Sequence, residues 1–149
     1  MKNRDIINRY NVLSVIQLVN NNESLDGLLK VKIISERIKS CKLVDSIKDD
    51  IQKFIDDLIT DEMKELFNKQ NKTEEDFAKL MNYENDLQEQ QKIYIYNREQ
   101  EEAVDFEEFY FTEDEYYQIV SVNSKDVVIN GQEIKLADFL EYLYKEFVK

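Results

Sequence analysis

The chain of 149 residues has no histidine, no proline and no tryptophan, and only two glycines and one cysteine. Without histidine, neither a Ser-His-Asp triad nor a Cys-His nucleophile pair can be assembled, and imidazole-based zinc sites are excluded. The lone Cys41 can form neither an internal disulfide nor a Cys-rich metal site, which fits a reducing cytoplasm. With Gly27 and Gly131 as the only glycines, there is no Walker-type phosphate loop and no Gly-rich dinucleotide turn. No apolar run is long enough to span a bilayer, and no signal peptide is read at the N-terminus.

What the chain does have is negative charge. Thirty-two acidic residues face 20 basic ones, a net charge of −12, and 42% of residues are hydrophobic. Residues 1–60 carry ten bases and nine acids, whereas residues 61–149 carry ten bases and twenty-three acids. The C-terminal part would repel nucleic acid, whose binding needs Lys and Arg to displace condensed counterions. An anionic membrane would be repelled as well. The length suits one domain, since chains of this size bury roughly 70% of their extended surface. A single domain over 1–149 is expected, with room for a subdivision near residue 90 into a helical part and an acidic α+β part.

The densest feature is the run EQEEAVDFEEFYFTEDEYY at 99–117, which has no Lys or Arg. Its carboxylates are Glu99, Glu101, Glu102, Asp105, Glu107, Glu108, Glu113, Asp114 and Glu115. Phe106, Phe109, Tyr110, Phe111, Tyr116 and Tyr117 are threaded among them. Like charges in a run stay solvated, while aromatics favour burial or a partner. Together they predict a surface that meets a basic protein, with Glu99 to Glu115 supplying charge and Phe106, Phe109, Tyr110 and Tyr116 supplying dry contacts. Tyr94, Tyr96 and Tyr117 are further interface candidates, whereas Phe54, Phe77, Phe139 and Phe147 sit at helical spacing and are expected in the core.

The apolar periodicity predicts an α+β fold: long amphipathic helices first, then a small antiparallel hairpin or sheet, then a C-terminal helix. Ile6, Tyr10, Leu13 and Ile16 mark a helix over 5–19, interrupted by Asn20, Asn21 and Asn22. A helix over about 25–59, capped by Ser24 or Asp26, carries a near-heptad seam of Ile34, Ile38, Cys41, Val44, Ile47, Ile51, Phe54, Ile55 and Leu58. At ~35 residues it would be ~52 Å long, so a bend, a break near Gly27 or Lys42, or an extended antiparallel helix pair is expected. Thr60 caps a short helix containing Met63, Leu66 and Phe67. Thr73 and Asp76 have capping-box spacing for a helix over 74–91, whose apolar face is interrupted by Glu84. Ile93 and Ile95 alternating with Tyr94 and Tyr96 read as a strand. Thr112 and Glu115 also have capping-box spacing, but Ile119 to Val122 favour strand. Asn130-Gly131 between short apolar runs predicts a hairpin with a type I′ turn, and Leu136 begins the last helix.

Weaker constellations have blander readings. Asp126, Glu133 and Lys135 loosely echo the Asp…Glu-x-Lys arrangement of a large nuclease family, but an ordinary charged hairpin face explains them better. Asp49, Asp50, Asp56 and Asp57 form a solvated helix face, so no metal and no cofactor are expected. Cys41 is read as a buried structural thiol.

Asn3-Arg4-Asp5-Ile6-Ile7-Asn8, the amphipathic region 30–53, and 77–93 with its Asn85-Asp86-Leu87 centre resemble small uncharacterised proteins of bacteriophages and prophages. Thirteen Asn, fifteen Ile and sixteen Lys are consistent with AT-rich coding. In size and acidity the chain is similar in type to phage-encoded anti-CRISPR and anti-restriction inhibitors. The resemblance implies a non-enzymatic protein in the host cytoplasm that blocks the basic surface of a CRISPR effector or restriction enzyme, with no catalytic residues to transfer. The alternative is a phage assembly or chaperone protein forming homo-oligomers through the seam of 34–58.

Overall fold

The computed structural model describes residues 1–18 and 25–149. The described elements are α1 (Asn3–Ser14), α2 (Gly27–Leu58), α3 (Asp61–Asn68), α4 (Glu74–Gln100), α5 (Glu113–Val122), β1 (Val127–Ile129), β2 (Gln132–Ile134) and α6 (Leu136–Phe147). The fold is α+β and mostly helical, with one two-stranded antiparallel sheet. Two compact units share the chain: 1–43 with 102–149, and 44–101. The division therefore falls at 43/44 and 101/102 rather than near residue 90.

In the first unit, Val12, Leu13, Leu29, Ile33, Ile119, Phe139, Leu143 and Phe147 form the heart of one apolar core. The helix expected over 5–19 starts at Asn3 and stops at Ser14. Its last carbonyls are claimed from outside: Arg37 of α2 donates through Nε to Leu13 O at 2.6 Å and through Nη2 to Ile16 O. A guanidinium that replaces the next turn's donors ends a helix as an ordinary C-cap does. The expected break at Asn20 to Asn22 and the Ser24 cap lie outside the described residues. Asp26 does cap α2, accepting from Leu28 N at 3.1 Å.

The second half of α2 pairs antiparallel with α4, as Asp50 meets Arg98 and Phe54 meets Tyr94; α2 itself is one unbroken helix of 32 residues that begins at Gly27, without the break expected near Lys42. At 1.5 Å per residue it is about 48 Å long. Residues 27–43 belong to the first unit and 44–58 to the second, so no single core has to cover the whole length. The expected seam is corrected in its first half. Leu29, Ile33, Glu36 and Ser40 are buried, whereas Ile34 and Ile38 are 44% and 53% exposed and Cys41 is half-buried. A strict heptad drifts by about 20° per repeat on a straight helix, so one stripe cannot stay on one face over this length.

The hairpin forms as expected. Val127 pairs with Ile134, Val128 with Glu133 and Ile129 with Gln132, and Asn130 and Gly131 take φ of 52° and 74°. Both positive angles are what a type I′ turn requires. Two strand expectations fail. Residues 93–96 are helical because α4 continues to Gln100, where Tyr94 stacks on Phe54 at 4.1 Å with rings 6° apart. Residues 119–122 are helical because the Thr112 cap starts α5 and Ile119 is fully buried in the core. Burial and capping override the β preference of aromatic and branched residues.

In the second unit, Thr60 caps α3 and the Thr73–Asp76 box caps α4. The Asp76 carboxylate accepts from Lys69 Nζ at 2.7 Å and from Thr73 N at 2.9 Å. These bonds, the one from Lys69 foremost, hold its pKa at about 2 instead of 3.8. Because the folded value is depressed, this stabilisation is complete above the unfolded pKa and disappears as pH falls from about 4 towards 2. Thermal melts followed by circular dichroism should show stability falling across that window. Asp76→Asn should start less stable at neutral pH and lose stability less steeply on acidification.

Candidate functional site

The acidic-aromatic run spans several structural contexts. Glu99 lies in the last turn of α4, and Glu101 is the residue that ends that helix. Within the second unit, Arg98 reaches Glu101 Oε2 at 2.7 Å and Asp50 Oδ2 at 3.0 Å. In the first unit, residues 102–112 carry no helix and make two isolated β-bridges, Lys2 with Glu102 and Phe111 with Val148. Ala103 N donates to Met1 O at 2.9 Å, and Phe111 N donates to Phe147 O at 2.6 Å. This strap is therefore hydrogen-bonded near both ends.

Between those ends, cations from the N-terminal region hold it. Arg9 of α1 is 5% exposed. It donates through Nη1 to Glu146 O at 2.9 Å and through Nη2 to Phe109 O at 2.5 Å. Its Cζ lies 4.0 Å from the Phe147 ring centroid and 4.9 Å from that of Phe109. Burial lowers the pKa of this guanidinium, and nearby Tyr110 and Glu108 oppose that shift. Lys32 of α2 donates to Tyr110 O at 2.7 Å and to Glu115 Oε1 at 2.9 Å. Phe111 is 1% exposed and lies 5.9 Å from Phe147, while Phe109 packs edge-on to Phe111 at 5.5 Å.

The expected division between charged rim and aromatic contacts therefore needs correction. Phe109, Phe111 and Tyr116 face inward rather than awaiting a partner. Tyr116 donates to Leu140 O at 2.9 Å and meets the Tyr144 ring edge-on at 5.1 Å. Tyr110 is half-buried, its ring 4.4 Å from Lys149 Nζ, and Phe106 is half-buried beside Lys39 and Lys42. Tyr96 and Tyr117, at 61% each, remain exposed. Phe77, expected in the core, is 59% exposed.

Several carboxylates are also occupied. Glu102 lies 3.1 Å from the Met1 ammonium, and Glu113 accepts from Tyr144 Oη at 3.1 Å. Glu108 accepts from Tyr110 Oη, which, with support from Arg9, lowers its pKa. For Glu115, burial pushes the pKa up, but hydrogen bonds from Thr112 and Lys32 outweigh it and leave the group lowered. Asp105, Glu107 and Asp114 are exposed and have no hydrogen bond or ion pair among the described residues. Asp105 sits at φ 56°, a left-handed conformation that Asp tolerates better than most residues.

Arg9, Lys32 and Arg37 are the residues that sequence reasoning missed. Their signal was the charge asymmetry itself: a slightly basic N-terminal part can serve an acidic C-terminal part within one molecule. The hairpin brings Asp126, Glu133 and Lys135 together, but for local structure. Asp126 Oδ1 accepts from Leu136 N at 2.8 Å at the start of α6, and Lys135 lies 3.4 Å from Asp126 and 3.8 Å from Glu133. Among the described residues no group of three or more Cys, Asp or Glu is placed to hold a metal ion, and no helix is long and apolar enough to cross a membrane. No protein-family model, no curated protein and no solved structure matches the chain.

Arg9→Met should destabilise the fold by about 2–4 kcal/mol in urea denaturation, because it leaves two carbonyls without their donor. Arg9→Lys should recover only part of that loss, since an ammonium cannot span both carbonyls and stack on the rings.

Proposed function

We propose that this is a non-enzymatic binding protein that occupies the basic surface of a nucleic-acid-handling host-defence protein, in the manner of an anti-CRISPR or anti-restriction inhibitor. The observation that carries this reading is the strap: its backbone and aromatics are held by Arg9, Lys32 and Phe147, while Asp105 and Glu107 stay exposed and unpaired, with Asp114 just beyond it. Asp105 and Glu107 lie on the stretch between the anchors at Ala103 and at Phe109, Tyr110 and Phe111. Their charge raises the association rate and makes binding salt-sensitive.

The test is inhibition of DNA cleavage by a panel of purified CRISPR effectors and restriction enzymes at low and high salt. Inhibition of one of them should weaken with salt. The triple change Asp105→Lys, Glu107→Lys and Asp114→Lys should slow association by about tenfold or more without altering the thermal melt. Inhibition that is insensitive to salt and to these changes would end the proposal.

A second reading, helix-mediated self-assembly, is favoured by α2. Leu28, Val31, Ile34 and Ile38 are 44–80% exposed, opposite the buried face of Leu29, Ile33, Glu36 and Ser40. An exposed apolar stripe of this kind marks an association surface. Light scattering should then report more than a monomer, and Ile38→Lys should dissociate it. A monomeric wild type would rule this reading out.

A further inference from the structure

Asn130 and Gly131 turn the hairpin, and the same two residues form a reactive pair. An asparagine amide followed by a residue without Cβ is open to attack by its own main chain, because no side chain shields the next backbone nitrogen. Of the thirteen asparagines, Asn130 alone precedes glycine. Asn123, which precedes the small Ser124, is the next candidate by sequence, and the tertiary structure locks it. It is 5% exposed, its Oδ1 accepts from Gln17 N at 2.9 Å, and its Nδ2 donates to Ile119 O at 2.8 Å. Asn130 is exposed, and its side chain has no hydrogen bond among the described residues. Nothing lies within 4 Å of where a side chain at Gly131 would begin, so the approach is unhindered.

The closed turn opposes this attack, and the short hairpin permits it. Ring closure needs Gly131 N and Asn130 Cβ on the same side of the Asn130 Cα–C bond. The left-handed conformation of Asn130, at φ 52°, keeps them apart, so the tip must open first. Only three residue pairs hold the hairpin, the register ends at Ile129 and Gln132, and among the described residues no further strand flanks it. A two-stranded hairpin has little stability of its own, and loop tips open at far less cost than the whole fold. We propose that Asn130 is a site of spontaneous deamidation in the folded protein. Gly131 N attacks Asn130 Cγ; the new N–Cγ bond closes a succinimide, the Cγ–Nδ2 bond breaks, and Nδ2 leaves as ammonia with the Gly131 amide proton. Water then opens the ring, at Cγ to give aspartate or at the main-chain carbonyl to give isoaspartate. Isoaspartate lengthens the main chain by one carbon, so a two-residue turn no longer closes in its register. Ile129 and Ile134, which pack against the core, then lose their alignment. The aspartate product keeps the turn, since Asp-Gly favours the same geometry, but puts a carboxylate on a depression of ≈ 320 Å³ that Asp138 also lines. This chemistry is independent of the proposed function.

The test incubates the folded protein in mildly alkaline buffer, which favours loss of the Gly131 amide proton, beside a synthetic peptide of residues 126–136. Mass spectrometry with peptide mapping follows the loss of the Asn130 amide and the appearance of isoaspartate. Asn130 should convert first among the thirteen asparagines, while Asn123 stays intact. Conversion in the protein should lag that in the peptide by less than about a thousandfold, because a reaction that waited for global unfolding would be slowed by about that factor or more. The aged protein should melt at a lower temperature than the fresh protein. Asn130→Gly keeps a turn-forming Gly-Gly pair and removes the reacting amide, so its melt should not fall on incubation. A lag of about a thousandfold or more, conversion that appears first at another asparagine, or an equal fall in the melt of Asn130→Gly would each overturn the inference.

Discussion

The first unit depends on one buried cation. Transferring a guanidinium out of water is costly unless its donors and charge are met. Around Arg9 the two Nη groups are met by main-chain carbonyls from different segments, Phe109 and Glu146, and the charge by the faces of Phe147 and Phe109, while the buried Nε has no hydrogen-bond partner among the described residues. These contacts join α1, the strap and the end of α6 at one point. The arrangement also explains how a segment with no secondary structure of its own can pass over the core in a defined path. Its backbone bonds go to Met1, Phe147 and Lys149, and its Phe109 and Tyr110 carbonyls accept from Arg9 and Lys32.

α2 shows a conflict between local pattern and burial. Its exposed stripe is apolar, while its covered face includes Glu36 at 8% and Ser40 at 0% exposure. Glu36 Oε2 and Ser40 Oγ have no hydrogen-bond partner among the described residues. Folding that buries polar atoms and leaves Leu28, Val31, Ile34 and Ile38 exposed departs from the mutual consistency expected of local and global preferences. Departures of this kind concentrate at surfaces used for something other than stability.

The candidate site was half legible in the sequence. The run at 99–117 was visible as an anomaly because charge density and aromatic content are read directly from composition. Its internal use was not visible, because the cations that engage it lie far away in the chain. Arg9 is 100 residues from Phe109, and Lys32 is 83 residues from Glu115. Aromatic spacing could not tell an interface residue such as Tyr117 from an inward one such as Tyr116, since neighbouring residues of the same type have opposite surroundings.

What the sequence determined by itself was local. Thr60, Thr73 and Thr112 start helices because a cap is completed within three residues. Asn130-Gly131 makes its turn because the required backbone angles belong to those two residues alone. The tertiary structure decided whatever required comparing distant surfaces. It kept 93–96 helical by setting Tyr94 on Phe54, and it chose which face of α2 is covered. It also used Arg9 and Lys32 to hold the strap while leaving Asp105 and Glu107 free. Burial and ion pairing depend on which segments meet, and no window of a few residues contains that information.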